Sequence, residues 1–213
     1  MEFLIGWIIF TGVQLAATMS PGSAFAVQMR NIVKYGRKGG LFTALGLGAG
    51  VGLHAALALC GMAIILAQVS WMFELVKYIG AAYLVYIGVK GLKAKPEGTP
   101  KLDVDMAKGV EHEPISAFRA LQIGFWTNAL NPKAVIFFTA IFTQFIEPDA
   151  ALSVLVLYGF TSVIVEILWF SLLALILTIP SVGRSFKALQ HGVERVCGGL
   201  LVALGIKLAL SKI

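Results

Sequence analysis

Long apolar runs recur along this chain, at about residues 3–29, 41–68, 73–92, 119–146, 152–178 and 196–212, and most charged residues gather between them. A helix that spans lipid needs about 20 predominantly apolar residues, and these runs approach or exceed that length. A closed β-barrel would need alternating polarity, which is missing here. Composition agrees: 58% of residues are hydrophobic and 13% are charged, against about 25% charged in a soluble domain. The expected fold is therefore an all-α membrane protein with six transmembrane helices. The first run starts at Phe3 without a basic stretch or a small-residue cleavage site, so it reads as a retained helix and not as a signal peptide.

The basic residues set an orientation. Arg30, Lys34, Arg37 and Lys38 fall in the first connection. Lys90, Lys93, Lys95, Lys101, Lys108 and Arg119 fall in or beside the third, and Arg184, Lys187 and Arg195 in the fifth. The second connection has only Lys77 at its edge, and the fourth, Glu147-Pro148-Asp149, has none. Odd connections are expected to be cytoplasmic, with both termini outside. This placement accounts for the net charge of +6 as membrane topology, with lipid and not nucleic acid as the surrounding partner. Trp7 and Trp71 fall near outer span ends, where an aromatic belt is expected. The third connection, rich in Lys, Glu, Asp, Pro and Gly, reads as a solvated linker. It divides the chain into three-helix units at 1–92 and 119–213, joined by 93–118.

The two units resemble each other. Leu84, Val85, Gly88 and Lys90 recur 117 residues later as Leu201, Val202, Gly205 and Lys207. Ser20-Pro21-Gly22-Ser23 in helix one is matched by Asn131-Pro132-Lys133 in helix four. Units with an odd number of spans must be inverted relative to each other, and inverted repeats with interrupted helices are characteristic of secondary transporters. Ser and Asn are good N-caps, Pro favours the first helical position, and the residue before Pro avoids the α region. Helices one and four are therefore expected to break at Pro21 and Pro132. New half-helices would start there, with free N–H groups suited to an anion.

Three ionisable residues fall near the middle of a span: His54, Lys133 and Glu166. A charge at the bilayer centre costs at least about 2.5–3.5 kcal/mol and usually faces a cavity or a partner, so one shared polar site is expected. Lys133 could hold a substrate carboxylate or could neutralise Glu166. Glu166 could bind a substrate amine or carry a coupling proton. His54 could carry that proton or could be a packed, hydrogen-bonded residue. Ser20, Pro21, Gly22, Ser23, Asn131, Pro132, Lys133 and Glu166 form the candidate substrate site, with Glu166 and His54 the proton-coupling candidates. Gln14, Thr18, Gln28, Gln122, Thr127 and Asn128 flank the breaks without a readable role. Gly46, Gly48, Gly50 and Gly52 form overlapping GxxxG pairs that favour close helix packing, and such small-residue faces permit a homodimer. They follow no strand and do not match GxGxxG, so no dinucleotide cofactor is expected. No His, Cys or carboxylate spacing suggests a bound metal. Cys60 and Cys197 lie at different depths, which opposes a thiol redox enzyme; a metal-ion exporter is the other alternative.

Four segments together carry a family resemblance: TMSPGSAF (18–25), GLGAGVGLHAALALCG (46–61), YIGAAYLVYIGVKGLKA (78–94) and GFWTNALNPKAVIFF (124–138). Over essentially its full length the chain resembles the LysE/RhtB family of bacterial amino-acid exporters. The resemblance implies export of an amino acid or a derivative across the cytoplasmic membrane, driven by proton exchange, and no enzymatic activity. The family pattern usually reads Pro-Gly-Pro in helix one; here Ser23 replaces the second proline, which adds a hydroxyl and removes a rigid residue.

Overall fold

A computed structural model describes residues 1–68, 70–93, 112–146, 150–177 and 180–210. All regular structure among them is helical: α1 (Glu2–Met19), α2 (Ser23–Gln68), α3 (Ser70–Leu92), α4 (Ala117–Ala129), α5 (Pro132–Phe145), α6 (Leu152–Ile176) and α7 (Pro180–Leu210). The expected first helix is α1 plus the start of α2, and the expected fourth is α4 plus α5. Both are interrupted at their prolines.

α2 is two arms folded back at Gly36, whose φ of 68° lies in the left-handed region. A side chain there would be strained, and its Cβ would also stand 2.6 Å from the His112 ring. Across the hairpin, Gln28 Nε2 donates to Gly40 O at 3.1 Å and Asn31 Nδ2 to Thr43 Oγ1 at 2.9 Å. Beside the turn, Glu113 pairs with Lys34 at 3.0 Å and its N–H donates to Lys34 O. The end of the linker is thus tied to the Gly36 turn. Most of the expected linker, 94–111, lies outside the described residues, as do the side chains of Trp71, Arg184 and Lys187.

One boundary needs correction. The fifth connection was expected to be a charged loop, but it is the first half of α7, which begins at Pro180, not near 196. Charge ends an apolar run without ending a helix: Lys, Arg, Ala, Leu and Gln are all good helix formers, and Pro is favoured at a first position.

Contacts fix the relative directions of the helices. α4 runs parallel to the second arm of α2, with Gly46 against Leu121 O and Gly50 against Phe125 O. α6 runs antiparallel to that arm, Gly40 meeting Ala174 and Gly159 meeting Ala55. α1 runs parallel to α6, Trp7 Nε1 donating to Thr161 Oγ1 at 3.0 Å and Thr18 reaching Glu166. Trp7 therefore holds a helix pair in addition to any role at an interface.

α3 and α7 are antiparallel and their contacts are reciprocal. A Cβ on Gly88 would lie 2.7 Å from Val202 N and 2.6 Å from Gly198 O; one on Gly205 would lie 3.0 Å from Val85 N and 2.8 Å from Ala81 O. Shifting each residue by the 117-residue offset turns one set into the other. Only glycine permits that backbone approach at both places.

Apolar side chains also cover the outside. Ile8, Leu57, Leu168, Val196 and Leu210 are all more than half exposed, an arrangement suited to lipid and not to water. By length and composition, Leu152–Ile176 can cross a membrane, as can apolar sequence within Ser23–Cys60, a stretch that contains the turn at Gly36; Phe3–Met19 and Pro132–Phe142 are apolar but shorter.

Gly88→Leu and Gly205→Leu should each cost about 3 kcal/mol or more, by forcing backbones apart in a filled interface. Gly12→Ala, with nothing within 4 Å, should be neutral or stabilising by up to about 1 kcal/mol. Thermal unfolding of the three purified variants checks the contrast; equal behaviour would refute the packing account.

Candidate functional site

The site begins with what proline lacks. In an unbroken helix Ala17 O would accept from the N–H of residue 21, and Asn128 O from that of residue 132. Pro21 and Pro132 have no N–H, so both carbonyls lose their helical donor. α1 stops at Met19, with Ser20 extended; α4 stops at Ala129, and Asn131 is extended too. The two breaks share a local repair, since Ser20 N donates to Ala17 O at 3.3 Å and Asn131 N to Asn128 O at 2.9 Å. Each carbonyl also takes a basic side chain from the other unit. Lys133 Nζ donates to Ala17 O at 3.2 Å and to Ser20 O at 3.1 Å. His54 Nε2 meets Asn128 O at 2.7 Å, and because a carbonyl only accepts, that nitrogen carries the hydrogen.

The N-caps differ from expectation on one side. Asn131 caps α5 as the sequence suggests, its Oδ1 accepting from Lys133 N at 3.0 Å with Pro132 in the first turn. Ser20 does not cap α2; it is the C-cap of α1. α2 begins only at Ser23, and Gly22 O receives Ala26 N at 2.9 Å. The reading from Ser-Pro assumed that helix resumes at the proline, whereas Gly22 lengthens the gap before it does.

Glu166 is 5% exposed and held on both oxygens. Thr18 Oγ1 donates to Oε2 at 2.7 Å, and Asn128 Nδ2 to Oε1 at 2.9 Å. Asn128 Nδ2 also reaches Leu47 O at 2.9 Å, and Gln14 Nε2 reaches Thr18 Oγ1 at 3.4 Å. Among the described residues no ion pair joins Glu166 to Lys133, so the two charged groups are anchored separately. Lys133 and Glu166 still interact through space across the cavity they share, without a direct contact.

The anchors face a common space. A cavity of about 50 Å³ is lined by Gln14, Thr18, Ser20, Gly22, Asn131, Lys133 and Glu166, with Phe25, Phe137, Phe138 and Phe170 as its apolar walls. It lies where the two apolar clusters of the core meet, one containing Ala17, Ala134 and Phe138 and the other Phe25 and Phe170. A wider vestibule of about 1010 Å³ shares Ser20, Gly22, Phe25, Asn131 and Lys133 and adds Pro21 and Ser23. His54 and Pro132 line neither space. His54 is 4% exposed and stacked on Phe138, centroids 6.4 Å apart, and touches Glu166 only through Asn128.

Several flanking residues now have roles. Thr18 and Asn128 position Glu166. Gln28 ties α2 to α6, donating to Gly40 O and Phe170 O. Thr127 bonds its own helix at Ile123 O, and Gln122 is exposed. Tyr83, Tyr86, Lys90, Lys93 and Glu194 in the vestibule were not singled out from sequence as site residues. Their signal is the i, i+3, i+7 spacing of Tyr83, Tyr86 and Lys90, which puts all three on one face of α3. Among the described residues no three His, Cys, Asp or Glu side chains cluster, and Cys60 and Cys197 are both free.

This architecture has relatives. Residues 15–212 match the family model described as LysE type translocator. The threonine efflux protein of Escherichia coli K12 is 30% identical over 202 residues, covering 94% of this chain and 95% of that one. The uncharacterized membrane protein YrhP of Bacillus subtilis 168 is 30% identical over 193 residues, covering 90% and 92%. The homoserine/homoserine lactone efflux protein of Salmonella typhimurium LT2 is 27% identical over 161 residues, covering 75% and 74%. No solved structure matches. With both interrupted helices, Lys133 and Glu166 inside a match that spans nearly the whole sequence, the chain belongs to the LysE type translocator family.

Proposed function

We propose that the protein exports an amino acid or an amino-acid derivative across the bacterial cytoplasmic membrane, by proton-coupled alternating access. The observation that carries this reading is the cavity bounded by Lys133 on one wall and Glu166 on another, at two meeting helix breaks. A zwitterion needs a cationic and an anionic partner a few ångströms apart, in a place screened from lipid. Lys133 and the N-terminal turns of α2 and α5 are the electropositive side, suited to a carboxylate. Glu166 and the carbonyls at the end of α1 are the electronegative side. Efflux relatives of threonine and homoserine favour a small polar side chain, which the hydroxyl and amide groups of the lining suit.

Six spans in two inverted units are the scaffold of this mechanism. The antiparallel, reciprocal α3–α7 contact and the parallel pairs α1–α6 and α4–α2 support it. With odd connections cytoplasmic and both termini outside, the vestibule opens inward beside Lys90 and Lys93. Rocking of the units would close it and open the other face. A proton returning on Glu166, or on His54, resets the cycle. One charge moved across 100 mV supplies about 2.3 kcal/mol, or roughly fortyfold accumulation.

Glu166→Gln keeps the carboxyl shape and removes its charge, and Lys133→Ala removes the ammonium. Both should lower export at least tenfold at unchanged membrane abundance, while Gln122→Ala exports normally. Efflux of labelled amino acids from preloaded cells measures this, and wild-type export by both variants would remove the site. In proteoliposomes, an inward proton gradient should accelerate wild-type export, and a protonophore should return it to the basal rate. Indifference to the protonophore would end the proton-coupling claim alone.

A further inference from the structure

Lys133 sits where a transported ammonium group would be expected to sit. Its Nζ lies 3.1 Å from Ser20 O and 3.2 Å from Ala17 O. These carbonyls close the electronegative end of α1, and Ala17 O is available because Pro21 cannot donate to it. No carboxylate competes within 4 Å among the described residues. The neighbouring cavity, about 50 Å³, holds only a few waters. Withdrawal of the Lys133 side chain would join it to the vestibule of about 1010 Å³. The same cavity has acceptor capacity to spare, for Gln14 is 2% exposed and its Oε1 has no partner.

We propose that the Ala17 and Ser20 carbonyls are a primary-ammonium subsite, and that Lys133 fills it with its own ammonium when no substrate is bound. This rests on the export reading and deepens it. An arriving amino acid presents its carboxylate to Lys133 and its ammonium to the carbonyls that Lys133 leaves. The exchange breaks two N–H···O bonds and forms two others, and it leaves no buried carbonyl unpaired. A molecule with a carboxylate but no amine would draw Lys133 away and leave the pair empty, which costs the desolvation of unsatisfied acceptors. The subsite thus selects for amines, and Lys133 keeps the empty protein intact at its break.

The test is chemical complementation. Purified Lys133→Ala protein is unfolded thermally in ethylammonium chloride and in sodium chloride of equal ionic strength. Ethylammonium should raise the midpoint of the variant by about 3 °C or more and leave the wild type unmoved, because its subsite is already filled. No rise in the variant, or an equal rise in both proteins, overturns the proposal. If Lys133→Ala does not fold, Lys133→Met retains the stem and is titrated with ammonium chloride under the same two criteria. For the wild type, the analogue of an exported amino acid with hydrogen in place of its amine should compete at least tenfold more weakly than the amino acid itself. Equal competition removes the claim that substrate amines use the subsite. Failure of the wild type to export any amino acid would remove the transport reading, while the ethylammonium result would still decide whether the carbonyl pair binds a cation.

Discussion

Pro21 and Pro132 each take one N–H out of a helix at the polar centre of the molecule. In the interior of a membrane protein a freed carbonyl must find a donor, or it costs as much as a lost hydrogen bond or more. Besides the local N–H of Ser20 and of Asn131, each break receives a donor from the opposite half of the chain: Lys133 for Ala17 and Ser20, His54 for Asn128. The breaks therefore do more than bend two helices. They fasten the two halves of the chain together where their polar groups are concentrated. They also explain why basic groups are tolerated at such depth, since each donates to a backbone carbonyl that proline has deprived of its helical donor.

A polar centre of this kind needs stiff surroundings, and glycine provides them. Gly46 and Gly50 let α2 touch the backbone of α4, while Gly48 and Gly52 present the other side of that arm to Ile167 and Val163 of α6. Asn128 lies on α4 directly beside Gly50, and Glu166 lies on α6 one residue before Ile167. The small-residue stripe thus sets the distance between the two side chains that hydrogen-bond at 2.9 Å. A bulkier stripe would push Asn128 away from Glu166, since a Cβ on Gly50 would stand 2.8 Å from that of Asn128. On the far side, the contacts of Gly88 with Val202 and of Gly205 with Val85 seal α3 against α7, and the vestibule forms between this pair and the broken helices.

The larger features were readable because their causes are local. Apolar length, the proline pairs and the Gly46–Gly52 stripe each declare themselves within a few residues. The resemblance of 84–90 to 201–207 falls on two segments that touch each other reciprocally in the fold. The failures have a different physics. Where α7 begins was misjudged because a run of charge was taken for the end of a helix. Ser20 was misassigned because one intervening glycine decides whether the helix resumes at the proline or after it. Thr18 and Asn128 were visible as polar residues near the breaks, but their partner lies 148 and 38 residues away, respectively. Sequence spacing carries nothing about which of Gln14, Thr18, Gln28 or Asn128 will face a carboxylate on another helix.

The separate anchoring of Lys133 and Glu166 bears on how such a site could turn over. A direct ion pair would hold both charges in one deep well, and a substrate would have to break it before binding. Here Glu166 rests on two neutral donors and Lys133 on two neutral acceptors. Each partner is a dipole, so each group can exchange it for a substrate charge without first giving up a full Coulombic attraction. A zwitterion placed between them changes neither the net charge of the cavity nor the number of satisfied groups. What it changes is which helices are joined: Lys133 in the empty site ties α5 to the end of α1, and a bound substrate would stand between them. In the proposed export cycle, a link of this kind between α5 and the end of α1 would couple occupancy of the site to the relative position of those two helices.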